Sequence, residues 1–417
     1  ITAKPWEDTA SGLQPVPDST PRPSPPELLF FERCLDWLAP GGLLGIVLPK
    51  SFLDTATFRA SREYLFRNAK LLATVNLHKN TFQPDTGVRT CLVFLRKLKA
   101  DEVPSDDYGI FMAVSRKIGR DSEGQPIFVP DSDGNPTAVI DHDLDEILDA
   151  YKAFAGGTLT DSEYTFAVKR TALGSTLNIN PQFHLPHLNE SVRRVQAIDQ
   201  VAHWSVTPLG QLDNAIKIFK GPRLRTENVL VDGPASGSAV EAYFTPSALL
   251  QDRRDSVKWL DLAKATQSQK RAFDAVRVKK GDLLITRSGS IGRVAYVTSK
   301  LDQAIVSDDA IRVRIPDERL RAYVYSWLNS PNAQDQFRRN EYGAIQQHLE
   351  PIHVRDLLVP VPEDWEQVSD LVTQAKAFFE GREKIEAASD GVLSQLEQAF
   401  GALLRSDNGD EHDSVDE

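Results

Sequence analysis

The sequence predicts an α/β fold followed by an α+β fold, and three patterns support this prediction. Residues 24–97 alternate helical and strand-like runs in the order helix, strand, helix, strand, strand, which is how an open α/β sheet ends. From about residue 204 the chain changes to short β-like runs separated by turns, with one helix among them. Residues 363–404 then carry apolar positions at helical spacing, so we expect a long C-terminal helix or a helix pair.

The elements of the α/β part are defined by their ends. "SPPELLFFERCLDWLAPGG" has Ser24 as the candidate cap, prolines at the helix entry and a Pro-Gly-Gly stop. "LLGIVLP", residues 43–49, is a continuous apolar run, which is typical of a strand buried on both faces. "TATFRASREYLFRNA" predicts a second helix, and "LLATVNL" and "RTCLVFLRK" predict two further strands. Residues 98–161 are acidic and rich in turns, which indicates loop or hairpin excursions.

The α+β part is predicted from four β-like runs: "AIKIFKG", "AVEAYFTP", "DAVRVKKGDLLITRSGSIGRVAYVTS" and "AIVSDDAIRVRIP". A helix follows in "RLRAYVYSWLNSPNAQDQFRRN", then the loop "EYGAIQQH" and a strand in "VRDLLVPVP". The acidic end "SDNGDEHDSVDE" is predicted to be a disordered, solvating tail.

The composition is that of a globular protein with room for two or three domains: 417 residues, 41% apolar and 26% charged. The sequence shows neither an apolar run near the roughly 20 residues that a membrane helix needs nor a secretory signal, so we expect a cytoplasmic protein. Cys34 and Cys91 are too few for a disulfide scaffold and are predicted to be buried thiols in a reducing compartment. Because the first residue is Ile1 rather than methionine, we expect the chain to be a piece of a longer protein.

Positive charge is concentrated in the middle of the chain. The net charge is −11, but residues 201–350 contain 22 Lys and Arg against 17 Asp and Glu, a net of +5, which leaves −16 for the remainder. A basic segment within an acidic protein is compatible with phosphate contact, and equally with charges spread over a solvated surface. Charge alone leaves both interpretations open.

"GDLLITRSGSIGR", residues 281–293, looks at first like a phosphate-binding loop. A Walker loop ends in Gly-Lys-Ser/Thr and opens a helix, but here Gly292 precedes Arg293, and "VAYV" continues as a strand, which also excludes the dinucleotide fingerprint. The segment is therefore predicted to be a hairpin whose glycines supply positive φ. The residues alone leave two interpretations, a plain hairpin or a hairpin tip that faces a phosphodiester through Arg287, Ser288, Ser290 and Arg293.

No complete catalytic or metal site is predicted in this chain. "NPQF", residues 180–183, lacks the second proline of the Asn-Pro-Pro-aromatic turn with which amino-methyltransferases hold an amino group, so a linker turn is favoured. The histidines show no metal-ligand spacing, and the sequence contains no Ser-His-Asp elbow.

The first hundred residues resemble a known family. "SPPELLFFERCLDWLAPGGLLGIVLPKSFL" followed by "TVNLHKNTFQPDTGVRTCLVFLRK" resembles the latter half of the catalytic domain of the N6-adenine DNA methyltransferases of type I restriction-modification systems. This resemblance implies the end of a Rossmann-like methyltransferase sheet, in which "TGVRTCLVFLRK" forms a late antiparallel strand. In that family the S-adenosylmethionine loop and the Asn-Pro-Pro-Phe turn come earlier, so the resemblance implies that both lie upstream of Ile1.

The rest of the chain resembles a second family. "WSVTPLGQLDNAIKIFKG", "VKKGDLLITRSGSIGRVAYV" and "YVYSWLNSPNAQDQFRRNEYGAIQQHLEPIHVRDLLVPVP" look like one target recognition domain of a type I specificity subunit, followed by its spacer helix. The resemblance implies a β-rich core and a fusion of methyltransferase and specificity module. The expected domains are the C-terminal part of the methyltransferase catalytic domain (1–100), an acidic insertion and helical connector (101–203), the target recognition domain (204–362), a spacer-type helical segment (363–404) and an acidic disordered tail (405–417).

This second resemblance favours DNA as the partner of the hairpin. DNA recognition combines phosphate contacts, which set the register, with side chains that read base edges. The candidates are polar and basic residues of three loops: Lys217, Lys220, Arg223 and Arg225; Arg287, Ser288, Ser290 and Arg293; and Tyr342, Gln346, Gln347 and His348. Arg338 and Arg339 are assigned to a solvated helix face.

The expected function is sequence-specific DNA recognition within an N6-adenine DNA methyltransferase of a restriction-modification or phage-defence system. With the missing N-terminal half, the enzyme would transfer a methyl group from S-adenosylmethionine; alone, the chain is expected to bind no cofactor and to be inactive. Expected partners are double-stranded DNA, that missing half and a restriction or further specificity subunit, with no membrane. The alternative is a non-catalytic specificity or scaffold subunit that docks a separate methyltransferase or nuclease through its terminal helices; a nuclease fused further upstream is a third option.

Overall fold

A computed structural model of the chain describes residues 25–233, 239–250, 257–340 and 348–407, together with four short strands before residue 25. The chain divides into two compact units. The first unit comprises Ile1–Ala197 and Asp335–Leu349, and the second comprises Ile198–Gln334 and Glu350–Glu417. Among the helices in these described ranges, none has the length and apolar character needed to cross a membrane.

The first unit is an α/β structure whose elements follow the predicted order over its first hundred residues. Its strands are β1 (Thr2–Ala3), β2 (Trp6–Thr9), β3 (Gly12–Pro15), β4 (Arg22–Pro23), β5 (Leu43–Pro49), β6 (Ala69–Asn76), β7 (Thr90–Lys97), β8 (Gly109–Val114), β9 (Phe128–Pro130), β10 (Pro136–Ile140) and β11 (Thr165–Lys169). Its helices are α1 (Pro26–Trp37), α2 (Arg59–Asn68), α3 (Leu144–Ala155) and α4 (Pro186–Ala197).

The main sheet of this unit has the strand order β11-β8-β6-β7-β5. β6 and β8 are parallel, whereas β7 is antiparallel to both of its neighbours, as the sequence resemblance predicted. β8 and β11 come from the segment expected to be an insertion and connector, so the sheet continues past residue 100. Their apolar runs are short and lie between acidic turns, which is why the sequence pattern indicated only loops there.

Helices cover the sheet unequally. Phe31 of α1 and Leu65 of α2 pack with Val93 of β7 in the main core of this unit, and Ile147 of α3 belongs to the second cluster with strands β6 and β8. The prediction that residues 43–49 are buried on both faces is wrong, because every other side chain of β5 up to Val47 is exposed. β5 is an edge strand among the strands that the structure describes, and its second face is not covered by α3.

The second unit is α+β, as predicted. Its strands are β12 (Trp204–Pro208), β13 (Lys217–Phe219), β14 (Leu230–Val231), β15 (Val240–Phe244), β16 (Lys258–Asp261), β17 (Leu283–Thr286), β18 (Val294–Tyr296), β19 (Ile305–Val306), β20 (Ala310–Arg314) and β21 (Leu358–Pro362). Its remaining elements are helices α5 (Pro246–Leu250), α6 (Gln267–Ala275), α7 (Glu318–Leu328), α8 (Pro331–Arg339, whose last residues fall in the range of the first unit), α9 (Pro351–Arg355) and α10 (Ser369–Asp407).

Two four-stranded sheets form the β-rich part of this unit, with strand orders β13-β20-β17-β18 and β14-β16-β15-β19. One fully buried side chain links them: Arg312 of β20 donates hydrogen bonds to the carbonyls of Ala310 (2.9 Å), of Val276 (2.8 Å) and of Val306 on β19 (2.7 Å). Burial lowers the pKa of Arg312 to about 10. The guanidinium therefore stabilises the junction of the two sheets with bonds that apolar packing cannot supply.

The C-terminal segment is one helix rather than a pair. α10 is 39 residues long. Its residues up to Asp390 contact the rest of the unit, where the rings of Phe379 and Tyr296 are stacked at 3.9 Å and Lys300 lies 2.5 Å from Asp390. From residue 408 onward, the predicted tail lies outside the described residues.

Candidate nucleic-acid interface

The predicted hairpin at residues 281–293 is present between β17 and β18. Its base is closed by the amide of Thr286, which donates to the carbonyl of Arg293 at 2.9 Å. The hydroxyl of Thr286 accepts from the amide of Arg293 at 3.0 Å and donates to the carbonyl of Ser290. Gly289 and Gly292 have φ of +73° and +78°, the left-handed region in which a side chain is strained. The loop is thus held in one conformation by bonds within the protein.

The side chains of this loop differ in exposure. Arg293 and Ser290 are exposed, and Ser288 is half-buried. The side chain of Arg287 is only 15% exposed, and its guanidinium lies 2.7 Å from Glu350 and 3.5 Å from Asp309. Of the two arginines predicted to face DNA from this hairpin, Arg293 is therefore open to solvent and Arg287 is bound to carboxylates.

Glu350 also binds a residue of the first predicted loop. Lys220 Nζ lies 2.7 Å from one carboxylate oxygen of Glu350 and 2.9 Å from the other. Glu350 is also the N-cap residue of helix α9, where its backbone carbonyl accepts from the amide of His353 at 2.9 Å. We call Lys220, Arg287, Asp309 and Glu350 the Glu350 junction; its two cations and two carboxylates have a formal charge of zero. The junction brings two of the three predicted DNA-binding loops together.

The other cations predicted near the first loop are Lys217, at the start of β13, and Arg223 and Arg225, in the loop itself. Lys217, Arg223 and Arg225 are exposed. The backbone beside them is fixed, because the carbonyl of Arg225 accepts a hydrogen bond from the side chain of Gln269 at 3.0 Å. Gln269 itself belongs to the capping box of α6. The loop therefore presents its arginines from an anchored backbone.

The third predicted group is only partly described. Tyr342, Gln346 and Gln347 lie outside the described residues. His348 is half-buried and falls in the residue range of the first unit.

The two arginines assigned to a solvated helix face differ. Arg338 is exposed and pairs with Asp335 at 3.1 Å. The assignment is wrong for Arg339, because its Nε donates to the carbonyl of Phe183 at 3.2 Å and its guanidinium lies 4.0 Å from the centre of that ring. Burial lowers the pKa of Arg339, so this arginine has a structural role within the first unit.

The turn "NPQF" is structural, and it packs against the carboxyl edge of the main sheet. Asn180 is 1% exposed; its side chain donates to Asp54 at 2.8 Å and accepts from Asn76, at the end of β6, at 2.7 Å. Burial raises the pKa of Asp54 to about 6 and lowers that of His184 to about 4. Asn180 is thus occupied by the protein itself, and the linker-turn interpretation understated how tightly the turn is packed.

These residues do not fit S-adenosylmethionine. The carboxyl edge is where an open α/β sheet binds its ligand. Here Asn76, Asn180 and Asp54 are hydrogen-bonded to one another instead of lining a cradle, and the two asparagines are buried. We assign no step of methyl transfer to them.

Sequence reasoning missed Glu350 and Asp309 as parts of the candidate interface. Glu350 precedes a proline at the start of a helix, which is a recognisable helix-entry signal, but that signal does not reveal cation partners. Asp309 lies in the turn between β19 and β20, and only the folded sheet brings it to Arg287.

Comparison with known proteins finds a family match within the first unit. The model of the family "N-6 DNA Methylase" matches residues 5–171, which include all of β8 and β11. No curated protein matches the chain.

Among solved structures, the chain is similar to restriction-modification proteins. The type IIG restriction endonuclease BpuSI shares 13% identity over 87% of this chain and 44% of its own, with a TM-score of 0.30. The type IIL enzyme MmeI, in complex with DNA, shares 11% identity over 79% of this chain and 41% of its own (TM-score 0.41). The HsdS subunit from Thermoanaerobacter tengcongensis shares 11% identity over 87% of this chain and 96% of its own (TM-score 0.29).

The match spans less than half the length of BpuSI and of MmeI. At these identities and TM-scores, the similarities do not define the fold of either unit. The family match is independent of them and covers the residues that form the main sheet of the first unit. The similarity of this chain to the N-6 DNA methylase family therefore rests on residues 5–171.

Proposed function

We propose that the second unit recognises a specific sequence in double-stranded DNA on behalf of an adenine-N6 DNA methyltransferase. The enzyme would belong to a restriction-modification or phage-defence system, and S-adenosylmethionine would supply the methyl group. Residues 5–171 are its methylase segment. The second unit is then a target recognition domain, and α10 is its spacer helix.

One observation carries this proposal: two predicted DNA-binding loops, distant in sequence, adjoin within one unit and present exposed arginines. Lys220 and Arg287 bind the same carboxylate, so the two loops lie side by side. Arg223 and Arg225 are exposed on one loop and Arg293 on the other. Basic side chains grouped in this way attract the phosphate backbone of DNA.

The side chains of the two loops suit two kinds of contact, with phosphates and with base edges. Arg223, Arg225 and Arg293 each carry a planar guanidinium, which can bind a phosphate or form a bidentate pair with guanine in the major groove. Lys217 offers a point charge suited to a phosphate. Ser288 and Ser290 add short hydroxyls, which suit either a phosphate oxygen or a base edge. We therefore propose that the arginines fix the register and that one or more of them read bases.

A second function is favoured by α10. Large apolar side chains are exposed at seven-residue intervals along it: Leu371 (42%), Phe378 (47%), Ile385 (65%) and Val392 (57%). Apolar residues repeated every seven positions are typical of a helix that packs against another helix. This stripe supports the alternative of a specificity or scaffold subunit that docks a separate methyltransferase or nuclease.

A salt titration tests DNA binding directly. We expect the logarithm of the association constant for a labelled duplex to fall linearly with the logarithm of salt concentration, by about 0.9 per phosphate contacted. Fluorescence anisotropy of the labelled duplex measures the association constant at each salt concentration. An affinity that is independent of salt would show that the basic loops do not contact the backbone.

A further inference from the structure

Glu350 has an unusual position for a carboxylate in an interface proposed to bind a polyanion. Its carboxylate lies 2.7 Å from Lys220 of the first loop and 2.7 Å from Arg287 of the hairpin. Its side chain is 25% exposed, against 15% for Arg287 and 38% for Lys220. A carboxylate beside a phosphate is repelled by it, so Glu350 would weaken binding if its two partners were the phosphate contacts.

The charge of the Glu350 junction supports another role for these cations. Asp309 lies 3.5 Å from Arg287, and its backbone carbonyl accepts from the amide of Arg287 at 2.8 Å. With Asp309 included, the four charges cancel, and the junction attracts phosphate weakly. Three cations that flank the junction are exposed: Arg223, Arg225 and Arg293.

Three elements meet at Glu350. Lys220 follows β13, Arg287 follows β17, and Glu350 itself is the N-cap residue of α9. Bonds to a charged group are stronger than neutral ones and have defined geometry. The Glu350 carboxylate therefore fixes the positions of the two loops relative to the start of α9.

We propose that Glu350 is the positioning residue of the DNA interface. It holds the first loop and the hairpin in one geometry. Lys220 and Arg287 hold the two loops together through this carboxylate, and the exposed arginines contact DNA: Arg223, Arg225 and Arg293. This inference rests on the proposed function, since it assigns roles within the same interface.

The substitution Glu350→Gln separates positioning from binding. The backbone carbonyl of residue 350 still accepts from the amide of His353, but the negative charge that binds Lys220 and Arg287 is lost. Arg287 keeps its ion pair with Asp309, whereas Lys220 becomes available to a phosphate, so we expect the salt dependence to steepen by about 1 in slope. Loosened loops align less well with base edges, so we expect discrimination between target and non-target DNA to fall about tenfold.

Lys220→Met tests the same assignment from the opposite side. If Lys220 only holds the loops in position, its loss leaves the salt slope unchanged and lowers the discrimination between target and non-target DNA. If it is a phosphate contact, its loss makes the slope shallower by about 1. This variant keeps the proposal testable even where Glu350→Gln fails to fold.

Glu241→Gln is the matched control. Glu241 binds Arg277 of the same unit through two bonds of 2.7 and 3.0 Å, outside the predicted loops. The probes are the duplex enriched by the unmodified chain from a pool with a randomised centre, and the unselected pool. Anisotropy over a range of salt concentrations gives slope and discrimination for each variant, and urea unfolding confirms that each is folded.

The outcomes separate the two proposals. A steeper slope with lost discrimination in Glu350→Gln, absent from Glu241→Gln, supports the positioning role. Three results would overturn the positioning role while leaving the proposed function in place. They are an unchanged slope and discrimination in Glu350→Gln, an equal change in Glu241→Gln, and a shallower slope in Lys220→Met. If the unmodified chain binds neither duplex, the proposed function itself fails.

Discussion

Replacing Arg312 with methionine is expected to destabilise the second unit by about 4 kcal/mol. The side chain is fully buried, and its guanidinium binds three backbone carbonyls, of Val276, Val306 and Ala310. Methionine fills a similar volume but donates nothing, and each buried acceptor left without a donor costs about 1 to 3 kcal/mol. Urea unfolding monitored by tryptophan fluorescence and circular dichroism measures the loss.

The size of this effect depends on burial, and an exposed arginine provides the control. Arg271 lies on the solvent side of α6, and Arg271→Met is expected to change the free energy of unfolding by less than about 0.5 kcal/mol. If Arg312→Met also costs less than about 1 kcal/mol, the guanidinium does not hold the two sheets together, and the junction is stabilised by apolar packing alone.

Replacing Arg223, Arg225 and Arg293 together with alanine is expected to weaken DNA binding about 100-fold. The three side chains are exposed, so their removal leaves the fold intact. Each contact with a phosphate or base contributes at least about 1 kcal/mol, and three such losses amount to about two orders of magnitude in affinity. Anisotropy with the enriched duplex, at one fixed salt concentration, measures the change.

The control for this variant is a set of exposed cations away from the loops. Arg271, Lys264 and Lys258 are exposed in the same unit, on α6 or before it in the chain, so replacing all three with alanine also removes three positive charges. We expect their removal to lower affinity only slightly, through the net charge. Equal losses in the two variants would mean that DNA binding depends on overall charge rather than on the two loops.

Local signals in the sequence predicted the hairpin well. Gly289 and Gly292 require positive φ, and the apolar runs on either side have strand character, so the turn and its two strands follow from neighbouring residues. The antiparallel position of β7 was predicted from the family resemblance rather than from local pattern, because strand order depends on contacts between distant residues.

Features that depend on distant partners were not predictable. Arg287 looks the same in the sequence whether it faces a phosphate or a carboxylate, and its partner Glu350 is 63 residues away. The burial of Arg312 likewise depends on the meeting of two sheets, since an arginine in a β-like run usually lies on the solvent face. The exposed face of β5 was missed for the same reason: an apolar run shows that a strand is buried, but does not show which of its faces is covered.

The central claim is that the second unit recognises a specific DNA sequence through its two adjoining loops. The most direct measurement is selection of bound duplexes from a pool with a randomised centre, followed by sequencing of the bound fraction. We predict that the chain enriches one sequence motif that contains an adenine, and that the variant lacking Arg223, Arg225 and Arg293 enriches none above the input pool. Retention of duplexes without any enriched motif by the unmodified chain would contradict the claim, because it would show binding to DNA without recognition of its sequence.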